Sequence, residues 1–135
     1  MIIDGNESVL GRLASRVSKI ALEGEEVIIV NADNIYITGN KNAIIKKYME
    51  KIEIGTVSKG PFVQKTVDGI VKSSIRGMIG RNKQRGIDAL KRIKVFSGVP
   101  AEYKDKPMVS MEKINKEKPI KKISVSELSK LLGGQ

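Results

Sequence analysis

Apolar positions along the chain change period several times, and each change marks an element. Met1-Ile2-Ile3-Asp4 reads as a short strand, Gly5 and Asn6 as a turn, and Ser8 as a helix N-cap. Leu10, Leu13, Val17, Ile20 and Ala21 then recur at three- and four-residue steps, which predicts a helix over 9–22 closed by Gly24. Val27-Ile28-Ile29-Val30 is an unbroken β-branched run, the mark of a strand covered on both faces. Strand, helix and buried strand make a βαβ unit. After the turn Asn31-Ala32-Asp33-Asn34, Ile35-Tyr36-Ile37 reads as a short extended piece, and Thr38-Gly39-Asn40 leads into a helix carrying Ala43, Ile44, Lys47 and Tyr48.

Between Lys51 and Gly69 the alternation is patchy and broken by Gly55, Gly60 and Pro61, which predicts a loop with at most a hairpin. Ile70, Ile75, Met78 and Ile79 predict a helix over 68–78 that ends in a tight glycine-containing turn. A second short helix follows over 85–93, with Ile87, Leu90 and Ile93 inward and Arg85, Lys91 and Arg92 outward. Val95-Phe96 reads as a last strand. The tail from Ala101 to Lys122 is lysine-rich and weakly patterned, and Ser124, Glu127, Leu128, Leu131 and Leu132 followed by Gly133 give a capping-box helix with a C-terminal glycine.

The length of 135 residues fits one domain, and 40% apolar with 30% charged residues is enough to bury a core. Histidine, cysteine and tryptophan are absent, so no zinc finger, thiolate nucleophile, disulfide or serine-histidine-acid triad can be built. No apolar run reaches the roughly 20 residues of a membrane span, and the N-terminus has no signal-peptide pattern, so the expected location is cytoplasmic.

Charge changes the picture most. The net charge is +10, but residues 1–54 sum to −1, residues 55–97 to +8 and residues 98–135 to +3. Arg76, Arg81, Lys83 and Arg85 crowd ten residues, and no acid lies between Lys72 and Lys83. A positive segment of this kind calls for a polyanion, and phosphate backbones are the commonest one. A membrane surface is the competing partner, but an interfacial helix needs an aromatic-rich stripe opposite its cations, which is missing.

Short motifs add little chemistry. Gly39-Asn40-Lys41 lacks the earlier glycine and the following Ser or Thr of a phosphate-binding loop, so it reads as a turn; Lys41 at a helix start remains a modest RNA-contact candidate. Gly77-Met78-Ile79-Gly80 has the glycine spacing of a KH loop without the flanking pattern of that domain. Asp4, Glu7, Asp33 and Asp68 are not paired at ligand spacing, and capping or exposure accounts for them. Tyr36, Tyr48, Phe62, Phe96 and Tyr103 are scattered, so no stacking platform forms, and phosphate, sugar and shape contacts should dominate any RNA binding.

Three groups of residues carry a family resemblance: Leu10-Gly11-Arg12-Leu13-Ala14-Ser15; Val30-Asn31-Ala32-Asp33 with Ile37-Thr38-Gly39-Asn40-Lys41; and Ile75-Arg76-Gly77-Met78 with Arg85-Gly86, Ala89 to Phe96 and Gly98-Val99-Pro100. In that order they resemble the universal large-subunit ribosomal protein L-thirteen family in its archaeal form. The chain departs from the family at Val57-Ser58-Lys59, Val63-Gln64 and Ile79-Gly80. The resemblance implies a three-layer α/β/α domain on a small four-stranded parallel sheet, with a basic helix-loop segment and a C-terminal helix. Residues 1–100 would form the family core and 101–135 a lysine-rich tail within the same domain. It also implies a structural constituent of the large ribosomal subunit that binds ribosomal RNA, supports assembly and contacts neighbouring ribosomal proteins, with no catalysis, cofactor, metal, membrane or small-molecule substrate. The residues expected to touch RNA are Lys41, Lys59, Lys65, Lys72, Arg76, Arg81, Lys83, Arg85, Arg92 and Lys94. The alternatives are a free-standing RNA- or DNA-binding regulatory protein and, with little support, a nucleotide-using α/β enzyme.

Overall fold

The computed structural model describes residues 1–54, 66–80, 83–110 and 121–132. Strand β1 (Ile2–Asp4) is followed by helix α1 (Leu10–Leu22) and strand β2 (Val27–Val30), and β1 and β2 pair in parallel, which is the βαβ unit expected. Strand β3 (Tyr36–Thr38), helix α2 (Lys41–Ile54), helix α3 (Val67–Ile79) and helix α4 (Gln84–Lys91) lead to strand β4 (Ile93–Val95). Strands β5 (Val109–Ser110) and β6 (Lys122–Ser124) and helix α5 (Val125–Leu131) complete the described chain.

The main sheet has the order β4-β2-β1-β5, and every pairing in it is parallel. Ile3 and Ile29 are register partners, as are Val27 and Ile93, and pleat alternation puts all four on one face. All are buried in a single apolar cluster with Leu13, Ala14, Val17 and Ala21 of α1 and Ile70, Val71 and Ile75 of α3. Helices α1, α3 and α4 therefore form one layer. Ile2, Ile28 and Lys94 are partners on the opposite face. Because β4 and β5 lie at opposite edges, the chain between them crosses back over the sheet, and the right-handed rule for parallel connections carries it over that second face. Tyr103, in a 3-10 turn of this crossing, is buried, and its ring meets Phe96 at a centroid distance of 5.9 Å. The result is the expected three-layer α/β/α arrangement.

Several local readings need correction. Ser8 does not cap α1. A bridge between Val9 and Tyr36 extends the chain to residue 9, so Val9 stands at the N-cap without a side-chain bond, and Ser8 is fully buried with its Oγ unpartnered among the described residues. The loop expected from Lys51 to Gly69 is shorter: α2 runs to Ile54 and α3 begins at Val67, while 55–65 lie outside the described residues. Thr66 caps α3, its side chain accepting from the Gly69 N–H at 3.3 Å, and Gly80 closes it in the left-handed conformation at φ 78°.

Helix α4 packs Leu90 against the core, and Ile93 is buried, as expected, but Ile87 does not turn inward. Gly86 and Ala89 are buried while Ile87 is 39% exposed, and Ile93 belongs to β4. The cause is close approach, since a Cβ built on Gly86 would stand 2.4 Å from the Gly80 carbonyl oxygen. Val95-Phe96 is not the last strand either. β5 adds the sheet's outer edge, and β6 pairs antiparallel with β3 in a separate two-stranded ribbon. These strands span two and three residues, too short to show a period. Ser124 does cap α5, its Oγ accepting from the Glu127 N–H at 3.1 Å, but the Glu127 carboxylate pairs with the Lys41 ammonium across the fold instead of closing the box. Ile123, Val125 and Leu128 carry this C-terminal segment into the same apolar cluster as the sheet.

Gly86→Ala should lower stability in urea titration by about 1–3 kcal/mol at unchanged slope, because the added methyl overpacks against backbone. Gly77→Ala, within α3 with open space around the added Cβ, should raise stability by about 0.4–1 kcal/mol in the same titration.

Candidate nucleic-acid interface

Helices α1, α3 and α4 spend their apolar stripes on the sheet, so what remains outward is polar, and it is mostly positive. Together they carry seven Lys and Arg against two Asp, with Lys83 and Arg92 flanking α4. Both aspartates have local roles. Asp68 lies in the first turn of α3, where the helix dipole favours an anion, and Asp88 accepts from the Gln84 side chain at 2.9 Å. Arg16, Lys19, Lys72, Arg76, Lys83, Lys91 and Lys94 meet no carboxylate in ion-pair range among the described residues. A field left uncompensated in this way attracts a polyanion.

The expected contact residues divide into groups. Lys72 and Arg76 lie half-buried on α3, and Lys83 and Lys94 are exposed beside α4 and on β4. Lys41 opens α2 but is engaged by Glu127. Arg85 and Arg92 turn back onto the protein. The Arg85 guanidinium donates to the Leu22 carbonyl at 3.3 Å and that of Arg92 to the Ala21 carbonyl at 3.0 Å. Those carbonyls lie in the last turn of α1, where the negative end of the helix dipole favours a cation. Lys59, Lys65 and Arg81 lie outside the described residues.

Arg12, Arg16 and Lys19 are absent from the residues expected to touch RNA, yet they are exposed on α1 beside the α3 layer. Segment sums conceal them, because Glu23, Glu25 and Glu26 cancel them just beyond the helix. The three-to-four-residue spacing of these cations opposite the apolar stripe is the signal that finds them.

The carboxylates singled out in the sequence serve structure. Asp4 Oδ1 accepts from the Asn6 N–H and the Asn31 side chain, both at 3.0 Å, and Asp33 Oδ1 accepts from the Gly98 N–H at 3.3 Å. Among the described residues no three acidic side chains cluster as a metal site would need. Of the aromatics, Phe96 and Tyr103 meet each other and Phe62 lies outside the described residues; the Lys122 ammonium covers the Tyr36 ring at 4.5 Å, and Tyr48 is half-buried, its phenol pushed above the usual range by that burial.

Fold and surface together define a basic α/β/α scaffold, positive across one helical layer. Residues 1–102 match the sequence model of the family described as ribosomal protein L13, and the chain belongs to that family. It is similar to the large ribosomal subunit protein uL13 of Thermoplasma volcanium, 40% identical over 98% of both chains. Similar proteins of the same name are found in Methanosphaera stadtmanae, 40% identical over 99% of this chain and 97% of the relative, and in Methanosarcina barkeri, 44% identical over 82% and 79%.

Arg92→Ala should lower stability by about 1–2 kcal/mol in urea titration, because it removes a charged hydrogen bond to the Ala21 carbonyl and a cation favourably placed at the end of α1. Arg92→Lys should recover part of that loss.

Proposed function

We propose that this chain is a structural constituent of the large ribosomal subunit, holding ribosomal RNA against the layer formed by α1, α3 and α4 and supporting subunit assembly in the cytoplasm. The observation that carries the reading is the excess of Lys and Arg over Asp on these three helices, most of them without carboxylate partners among the described residues. Its relatives are named as large-subunit proteins, which supports the same partner. The role is non-enzymatic, and neighbouring ribosomal proteins are further contacts. Arg16, Lys19, Lys72, Arg76, Lys83 and Lys91 are the residues assigned to phosphate contact on this layer, with Arg12 beside them and Lys59, Lys65 and Arg81 as candidates in the same basic stretch; Lys94 lies on the opposite face of the sheet, so its contact would be with RNA that reaches that side. Arg85 and Arg92 brace α4 and β4 against α1, and any contact they make with RNA is additional to that. Lys41 is assigned first to Glu127.

Phosphate contacts set register without reading bases, and the apolar core keeps the cations at fixed spacing while RNA is bound. Sedimentation of a lysate through a sucrose gradient after a moderate-salt wash should find the chain with large subunits. A free-standing regulator would run near the top. With large-subunit ribosomal RNA as probe, log affinity should fall linearly with log salt. Arg16→Ala with Arg76→Ala should make that slope shallower by about 0.7–0.9 for each phosphate that is no longer neutralised. Lys41→Ala should leave it unchanged.

A further inference from the structure

Where α1 begins, a groove of about 300 Å³ opens between that helix, β3, α2 and α3, lined by Leu10, Gly11, Ile37, Tyr48, Ser74 and Met78 among others. We propose that this groove is a subsite for one unstacked nucleobase of the bound RNA. The inference rests on the RNA-facing reading above and deepens it from phosphate contact to a base contact.

Three observations favour a base. First, the walls suit a flat, partly apolar ring: Tyr48 is half-buried, Met78 is 50% exposed, and the Thr38 and Ser74 side chains add hydroxyls at the edge. Thioethers and aromatic rings both make favourable contacts with π systems. Second, the groove opens within the positive field. Arg12, Lys47 and Arg76 each stand one or two residues from a lining position on α1, α2 or α3. An occupant attached to a phosphate backbone is thus favoured over a free apolar molecule or an acidic protein segment. Third, α1 has a glycine where it borders the groove. Gly11 has an ordinary helical backbone, and among the described residues a Cβ built there meets nothing within 4 Å. Packing among the described residues therefore does not require glycine at this helical position, where alanine would be the more stable choice. The missing side chain keeps the groove open to a ring.

The test uses the full chain and two probes of equal length, hexauridylate and the corresponding abasic ribose-phosphate strand, titrated at two salt concentrations. Hexauridylate should bind between about 5-fold and 100-fold tighter, the range expected for stacking one base on a side-chain platform. Gly11→Leu, a good helix former placed in open space, should erase that difference and keep the salt dependence. Met78→Ala should reduce it. Equal binding of the two probes with a normal salt slope would overturn the subsite and leave the basic layer standing, whereas binding of neither would overturn both. In purified large subunits, ultraviolet cross-linking should join the peptide bearing Tyr48 or Met78 to RNA; a cross-link to another ribosomal protein would give the groove to a protein neighbour and overturn the proposal.

Discussion

Strand β2 is flanked on both sides, by β1 and by β4, and Val27, Ile29 and Val30 are fully buried. Its backbone is a hub. The Ile28 N–H donates to the Met1 carbonyl and the Val27 N–H to that of Arg92, both at 2.9 Å, while the Ile29 and Val30 carbonyls accept from Phe96 at 2.8 Å and Gly5 at 2.9 Å. The first strand, the turn after it and the α4-to-β4 junction are all registered against these four residues. A polar side chain at Val27, Ile29 or Val30 would be buried without a partner, and a one-residue slip would exchange the two faces of the sheet. Arg92 joins this hub to the helical layer, since its carbonyl belongs to the strand pairing while its guanidinium holds the end of α1. The spacing between the positive helices is therefore referred back to the central strand.

Elements governed by one strong local signal are legible in the sequence. The period of Leu10, Leu13, Val17 and Ala21 and the β-branched run in β2 each admit one reading, and the structure follows both. Elements governed by tertiary approach are not. Periodicity ranks residues by size, so it turns Ile87 inward, whereas the close approach of α4 to the end of α3 admits only a glycine at position 86. Ser8 fits the pattern of a cap, but pairing of Val9 with Tyr36 fixes the chain as extended one residue longer. Both residues of β5 are exposed and β6 buries only Ile123, less than a period needs. The positive segment is visible as a sum, but its division is not. That Arg85 and Arg92 face a helix end, and that α1 contributes cations to the same layer, depends on which helices are neighbours in space.

The arrangement places opposing electrostatic demands on the free and bound chain. Like charges held on three packed helices repel, and at physiological ionic strength screening acts over about 8 Å, comparable to the roughly 8–10 Å between packed helix axes. In the free chain this repulsion works against the packing that brings α1, α3 and α4 together, and the apolar cluster beneath them supplies the opposing force. RNA reverses the sign. Phosphates placed between the helices, as proposed, would turn mutual repulsion into shared attraction, so that binding would also stabilise the fold by mass action. Added salt then acts in two directions on one surface: it relieves repulsion in the free chain and weakens the complex through counterion competition. The C-terminal segment is held mainly by other means, because Ile123, Val125 and Leu128 anchor it by apolar burial and Glu127 neutralises Lys41 within the chain. Lys41 and Glu127 thus compensate each other where the C-terminal segment closes on the fold, while most cations of α1, α3 and α4 are left for a second chain of opposite charge to complete.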